Sequence, residues 1–142
     1  MSVGIVVVSH SRALAEGAVD LATQMVTTTQ PRLAVAAGTA DGGLGTDAMA
    51  IQAAIEQVDE GDGVLVMVDL GSAVMSSEMA LEFCDPDLAE RVVVSSAPLV
   101  EGLVAAVVRA AQDAPLATVV RDAEQALDAK KKHLDRVLTR QN

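Results

Sequence analysis

Four short runs rich in β-branched residues limit what this chain can fold into more than any other feature: Val3–Val8, Leu33–Ala37, Gly63–Asp69 and Arg91–Ser95. None alternates apolar with polar residues, as a strand with one wet face would. Continuous apolar runs are the pattern of strands buried on both faces, and such strands belong to parallel sheets covered by helices. Helical spacing fills the intervals, through Leu14, Ala18, Leu21 and Met25, then Ile51, Ala54, Ile55 and Val58, then Met75, Met79 and Phe83, then Leu99, Leu103 and Val107. These stripes predict the core-facing sides of four helices, with Met25, Met75 and Met79 as packing residues. The order βαβαβαβα predicts an α/β three-layer sandwich with right-handed crossovers, a mainly parallel sheet in the order 2-1-3-4, and helices on both faces. A last segment, Leu116–Leu138, reads as a solvated helix through Val120, Ala123, Leu127, Leu134 and Leu138; its first five residues have an antiparallel edge strand as the alternative.

With 142 residues and no linker or repeat, the chain is expected to form a single domain over 1–142. Phe83 is the one aromatic residue, so the core must be built from aliphatic side chains. A net charge of −10 and the lack of stacking rings argue against nucleic acid as a partner. No run has the length of a membrane span, and Glu101 interrupts the best candidate, Leu99–Val108. The N-terminus shows no basic region followed by a cleavage site, and Cys84 has no partner for a disulfide; both fit a cytoplasmic location. Cys84 is expected to be a small core residue. Lys130, Lys131 and Lys132 are expected to be a solvated run near a helix C-terminus.

The chemistry should gather where the strands end. His10 follows the first strand directly and is one of two histidines in the chain. An imidazole ordinarily titrates at about pH 6.5 and presents an unprotonated nitrogen to a metal, a proton or a phosphoryl group. In a 2-1-3-4 sheet the first and third strands are neighbours whose connections leave in opposite directions, and the crevice at their carboxyl ends would bring Asp69 to His10. A carboxylate accepting one ring N–H fixes the tautomer and offsets positive charge on the ring. Ser11, Ser72 and the loop carrying Gly42, Gly43, Gly45 and Thr46 could support an anion through backbone N–H groups. Taken singly, Thr46 and Ser72 read more readily as helix N-caps than as anion ligands, and the glycines can simply shape a turn. The loop follows the second strand and has no Walker lysine, so it is neither a dinucleotide fingerprint nor a P-loop. His10, Asp69 and Asp41 make too thin a ligand set for a metal, and none is expected.

Four segments together, Gly4-Ile-Val-Val-Val-Ser-His-Ser11, Gly42-Gly-Leu-Gly-Thr-Asp47, Asp69-Leu-Gly-Ser-Ala73 and Pro98-Leu-Val-Glu-Gly102, resemble the DhaM family of phosphotransferase subunits of bacterial dihydroxyacetone kinases. That family is in turn similar to the mannose-type enzyme IIA of the sugar phosphotransferase system. The resemblance implies that His10 is phosphorylated and that Asp69 hydrogen-bonds it. It also implies that phospho-HPr, charged from phosphoenolpyruvate, is the donor, and that ADP held by a DhaL subunit is the acceptor, with dihydroxyacetone bound on DhaK. It implies a homodimer and no cofactor bound by this chain itself. Some family members continue into HPr-like and enzyme I-like domains; a chain ending at Asn142 would need a separate donor. Three other readings compete: an enzyme IIA-type carrier of another phosphotransferase pathway, a receiver-like domain phosphorylated on Asp69, and a non-catalytic module binding a small anion. A receiver would need acidic magnesium ligands after its first strand, where this chain has Ser9 and His10.

Overall fold

A computed structural model describes residues 2–141, with side chains through residue 139. The chain order is β1 (Gly4–Ser9), α1 (Arg12–Thr23), β2 (Leu33–Ala37), α2 (Ala48–Val58), β3 (Val64–Val68), α3 (Gly71–Phe83), α4 (Pro86–Ala89), β4 (Val92–Val94), α5 (Leu99–Ala111) and α6 (Leu116–Gln141). The four strands form one parallel sheet in the order β2-β1-β3-β4, as the sequence predicts. β1 lies in the middle, with Val8 opposite both Ala36 and Val68.

Alternate residues of the central strands feed two separate cores. Ile5, Val7, Leu65 and Met67 meet α1, α5 and α6 on one face. Val6, Val8, Val64, Val66 and Val68 meet α2, α3 and Leu88 of α4 on the other. Burial on both sides is why the runs show no alternation. Close approach is bought by glycine at two points. A Cβ on Gly4 would stand 2.4 Å from the Val58 carbonyl oxygen, so only glycine lets the end of α2 close over β1. A Cβ on Gly102 would meet Met67 and Ala97 at 2.9 Å, so α5 lies tight against the sheet.

The helix stripes divide. Ile51, Ala54, Ile55 and Val58 are all buried, as are Leu103 and Val107. The large members of the first and third stripes are not: Leu14, Leu21, Met25, Met75, Met79 and Phe83 are exposed, so the packing predicted for Met25, Met75 and Met79 is corrected. In their place α1 buries Ala15, Ala18 and Ala22, and α3 buries Ala73, Ser77 and Ala80. Small residues let these helices sit close to a sheet whose own valines already fill the layer, and the bulkier stripe is turned outward. Leu116–Val120 is the start of α6, not an edge strand. Cys84 is buried at the end of α3, and burial pushes its thiol up. The three lysines are exposed, but α6 continues well past them. Among the described residues no helix is long and apolar enough to cross a membrane.

Candidate active site

The pairing of Val8 with Val68 determines what happens at the carboxyl end of the sheet. The Asp69 N–H donates to the Val8 carbonyl at 3.2 Å, which carries the ladder one residue further and places the Asp69 side chain under the turn that follows β1. Four donors then converge on this carboxylate. The Ser9 hydroxyl and the His10 backbone N–H both donate to Oδ2 at 2.9 Å. His10 Nδ1 lies 2.9 Å from Oδ1, and the Leu70 N–H donates to the same oxygen at 2.6 Å. Burial raises the Asp69 carboxyl's affinity for a proton, but the bonds from the His10 backbone, the His10 ring, Ser9 and Leu70 outweigh it and hold Asp69 below the usual carboxylate range.

An ionised carboxylate only accepts hydrogen bonds, so the proton of a neutral His10 ring resides on Nδ1. Nε2 is left with its lone pair and points the other way, where the Ser72 hydroxyl donates to it. The His10 side chain is 25% exposed and that of Asp69 9%, so the ring is supported from beneath and open above. Ser9 completes the support. It is fully buried and accepts from the Ser11 N–H at 3.1 Å while donating to Asp69. The sequence reading gave Ser9 no role, although a hydroxyl ending an otherwise apolar strand is the signal that could have found it.

Two helices begin beside the ring. Ser11 caps α1, its hydroxyl accepting from the Leu14 N–H at 3.2 Å. α3 starts at Gly71 after Leu70, which supplies no side-chain cap, and Ser72 stands in its first turn. Unpaired N–H groups at helix starts favour an anion above His10. The glycine loop contributes differently from what its composition suggests. The Gly42 N–H is spent on the Thr39 carbonyl, and that of Gly43 on the side chains of Thr39 and Asp41. Gly45 donates to the His10 carbonyl at 2.9 Å. Gly42 and Gly45 have φ of 87° and 146°, a region that L side chains rarely adopt, so they shape the loop. Thr46 is not the cap of α2; Asp47 is, accepting from the N–H groups of Met49 and Ala50, because its carboxylate reaches both. Thr46 instead bonds Ser76 of α3 at 2.6 Å and ties the loop to the helix that carries Ser72.

Around this centre the surface is apolar and open, with Leu44, Leu70 and Met75 all exposed. A concavity of about 670 Å³ lies at the opposite end of the sheet against Pro31, Arg32 and Glu60 and does not include His10. Among the described residues no three His, Cys, Asp or Glu side chains gather to hold a metal.

The EIIA-man family, described as the PTS system fructose IIA component, matches residues 4–120. A DhaM phosphoryl donor subunit of a PEP-dependent dihydroxyacetone kinase from Listeria innocua is 38% identical over 107 residues, 75% of this chain and 85% of that protein. The chain belongs to this family, in its DhaM branch. The DhaM subunit of Escherichia coli K12 is 47% identical over 134 residues, and that of Providencia stuartii 42% over 143. The match covers 93% and 99% of this chain but 28% and 30% of those relatives, so the chain spans less than a third of their length. A crystal structure of a protein described as of unknown function superposes with a TM-score of 0.77 at 33% identity, covering 88% of this chain and 95% of that one. A sigma-54 interaction domain protein from Enterococcus faecalis shares the fold, with a TM-score of 0.68 at 15% identity over 94% of this chain and 96% of its own.

Proposed function

We propose that this chain is a phosphohistidine relay in a PEP-dependent dihydroxyacetone kinase. In this reading it takes a phosphoryl group from phospho-HPr onto His10 Nε2 and passes it to ADP held by a DhaL subunit working with DhaK. The observation that carries the reading is the clamp on the ring: Nδ1 is engaged by Asp69, and the lone pair of Nε2 faces the open rim. The names of the DhaM relatives support the same assignment.

Each step moves one bond. The donor's P–N bond breaks as a bond from phosphorus to Nε2 forms, and the released electron pair returns to the donor ring. His10 keeps its Nδ1 proton and gains positive charge, which the Asp69 carboxylate offsets without itself taking a proton. The Ser72 hydroxyl turns from Nε2 towards a phosphoryl oxygen, beside the starts of α1 and α3, so support lies where negative charge sits on the transferring group. In the second step an oxygen of the terminal phosphate of ADP attacks phosphorus, the P–Nε2 bond breaks, and the pair returns to Nε2. The exposed Leu44, Leu70 and Met75 suit contact with a protein that brings the phosphoryl group along.

Asp69 makes a poor nucleophile or magnesium ligand, since each of its oxygens already accepts two hydrogen bonds, and this disfavours the receiver-like reading. Incubation with labelled phosphoenolpyruvate, enzyme I and HPr should give an acid-labile, base-stable adduct, and His10→Ala should abolish it. Persistent labelling of that variant overturns the assignment. Discharge of the adduct by DhaL loaded with ADP is expected; an adduct that DhaL–ADP leaves intact assigns the chain to another phosphotransferase pathway. Asp69→Asn should slow transfer by about ten- to a hundredfold, the worth of a charge-assisted hydrogen bond at about 1.5–3 kcal/mol. An unchanged rate removes Asp69 from the mechanism.

A further inference from the structure

A closed circuit of bonds leaves His10 by its main chain and returns to its ring. The His10 carbonyl accepts from the Gly45 N–H at 2.9 Å. The next residue, Thr46, meets the Ser76 hydroxyl at 2.6 Å. Ser76 stands one turn after Ser72 on α3, so the two side chains share a helix face about 6 Å apart along the axis. Ser72 then donates to His10 Nε2 and closes the circuit. Nε2 is the atom that the relay reading loads with phosphorus. On the loop side this circuit has little slack. The Gly38 N–H donates to the Ser9 carbonyl at 3.1 Å, and the Thr39 N–H to the Gly43 carbonyl at 3.0 Å. Asp47, just beyond Thr46, is fixed as the cap of α2.

Helix α3 is the less constrained partner. Its buried residues are Ala73, Ser77 and Ala80, and Leu70 gives its first turn no side-chain cap. Small side chains make shallow ridges, so they fix how near a helix lies to the layer beneath better than how far it slides or turns. Hydrogen bonds to the neighbouring elements then set the remaining freedom. At the far end of α3 the Gln52 side chain of α2 donates to the Phe83 carbonyl at 3.2 Å. At the near end the bond between Thr46 and Ser76 does the same work beside the site. Thr46 and Ser76 are both half-buried, and a hydrogen bond shielded from water is electrostatically stronger than one in the open. Neither hydroxyl changes charge near neutral pH, so the tie is the same whether the imidazole is neutral or protonated.

We propose that Thr46 and Ser76 are positioning residues for transfer at His10: their bond holds the first turn of α3 at the height where Ser72 meets Nε2. The effect on the ring rests on geometry alone, and the effect on rate rests on the relay reading. Thr46→Val keeps the shape of the side chain and removes the hydroxyl. Ser76→Ala removes the other hydroxyl and installs a better helix former, so a loss it causes is not that of a weakened helix. With the ring neutral, the nitrogen resonance of His10 Nε2 should move downfield in each variant, the direction of a lost hydrogen bond, while that of Nδ1 stays in place. Transfer from phospho-HPr should lose about three- to tenfold in kcat with KM unchanged, the worth of one hydrogen bond. Thr46→Ser should restore both readouts, and the Thr46→Val/Ser76→Ala double variant should be no slower than either single one. An Nε2 resonance or a kcat left at its wild-type value, an effect confined to KM, or single effects that multiply in the double variant would each overturn the proposal. A wild type that takes no phosphoryl group defeats the relay reading instead, and the ring resonance then decides the positioning role by itself.

Discussion

Helices α2 and α3 lie side by side on one face of the sheet and meet it in opposite ways. α2 sinks its large side chains, Ile51, Ile55 and Val58, into the valines of β1 and β3. α3 presents Ala73, Ser77 and Ala80 to the same layer and holds Met75, Met79 and Phe83 outside. Ser77 even spends its hydroxyl on its own helix, donating to the Ala73 carbonyl at 2.7 Å, and adds no polar demand to the core. The difference teaches that bulk and burial are separable. α2 is held by what it inserts, whereas α3 is held by how closely its backbone can approach. That closeness brings Ser72, in the first turn of α3, onto the His10 ring.

The largest effect should come from the helix that inserts. Ile55→Ala leaves a void under α2 and should cost about 2–5 kcal/mol in urea unfolding. Next comes the helix that approaches. Ala80→Leu forces α3 off the sheet and should cost about 1–3 kcal/mol. Because that displacement moves Ser72, it should also slow phosphoryl transfer to His10. A stable Ala80→Leu protein with unchanged transfer would show that α3's closeness is unrelated to the site. The smallest effect should be that of Met79→Ala, below about 0.5 kcal/mol, since the side chain is already in water. A cost for Met79→Ala equal to that of Ile55→Ala would reverse the assignment of faces and end the comparison.

The same contrast explains how much could be read from the chain. Strand positions, the parallel pairing and the β2-β1-β3-β4 order were legible because short β-branched runs without polar alternation, spaced by helical stretches, point to strands buried on both sides. The meeting of His10 and Asp69 followed from that order and strand-end positions alone. Helix orientation was less legible. On α1 and α3 the small-residue stripe and the large-residue stripe have the same period, and periodicity does not say which faces inward. Leu14, Leu21, Met75 and Met79 therefore looked like core. Thr46 and Asp47 are adjacent residues of similar capping strength, and it is the loop's tie to Ser76 that makes Asp47 the cap. Ser9 was visible at the end of the first strand but received no specific role, because its bond to a carboxylate sixty residues away is tertiary.

Two of the four bonds that grip Asp69 come from main-chain amides, and its own amide is fastened to β1. The pose of the imidazole is therefore inherited from the strands rather than from any mobile flap. On the relay reading, the loaded and empty forms would present visitors with the same contour, and a visiting protein would tell one from the other by charge at the rim.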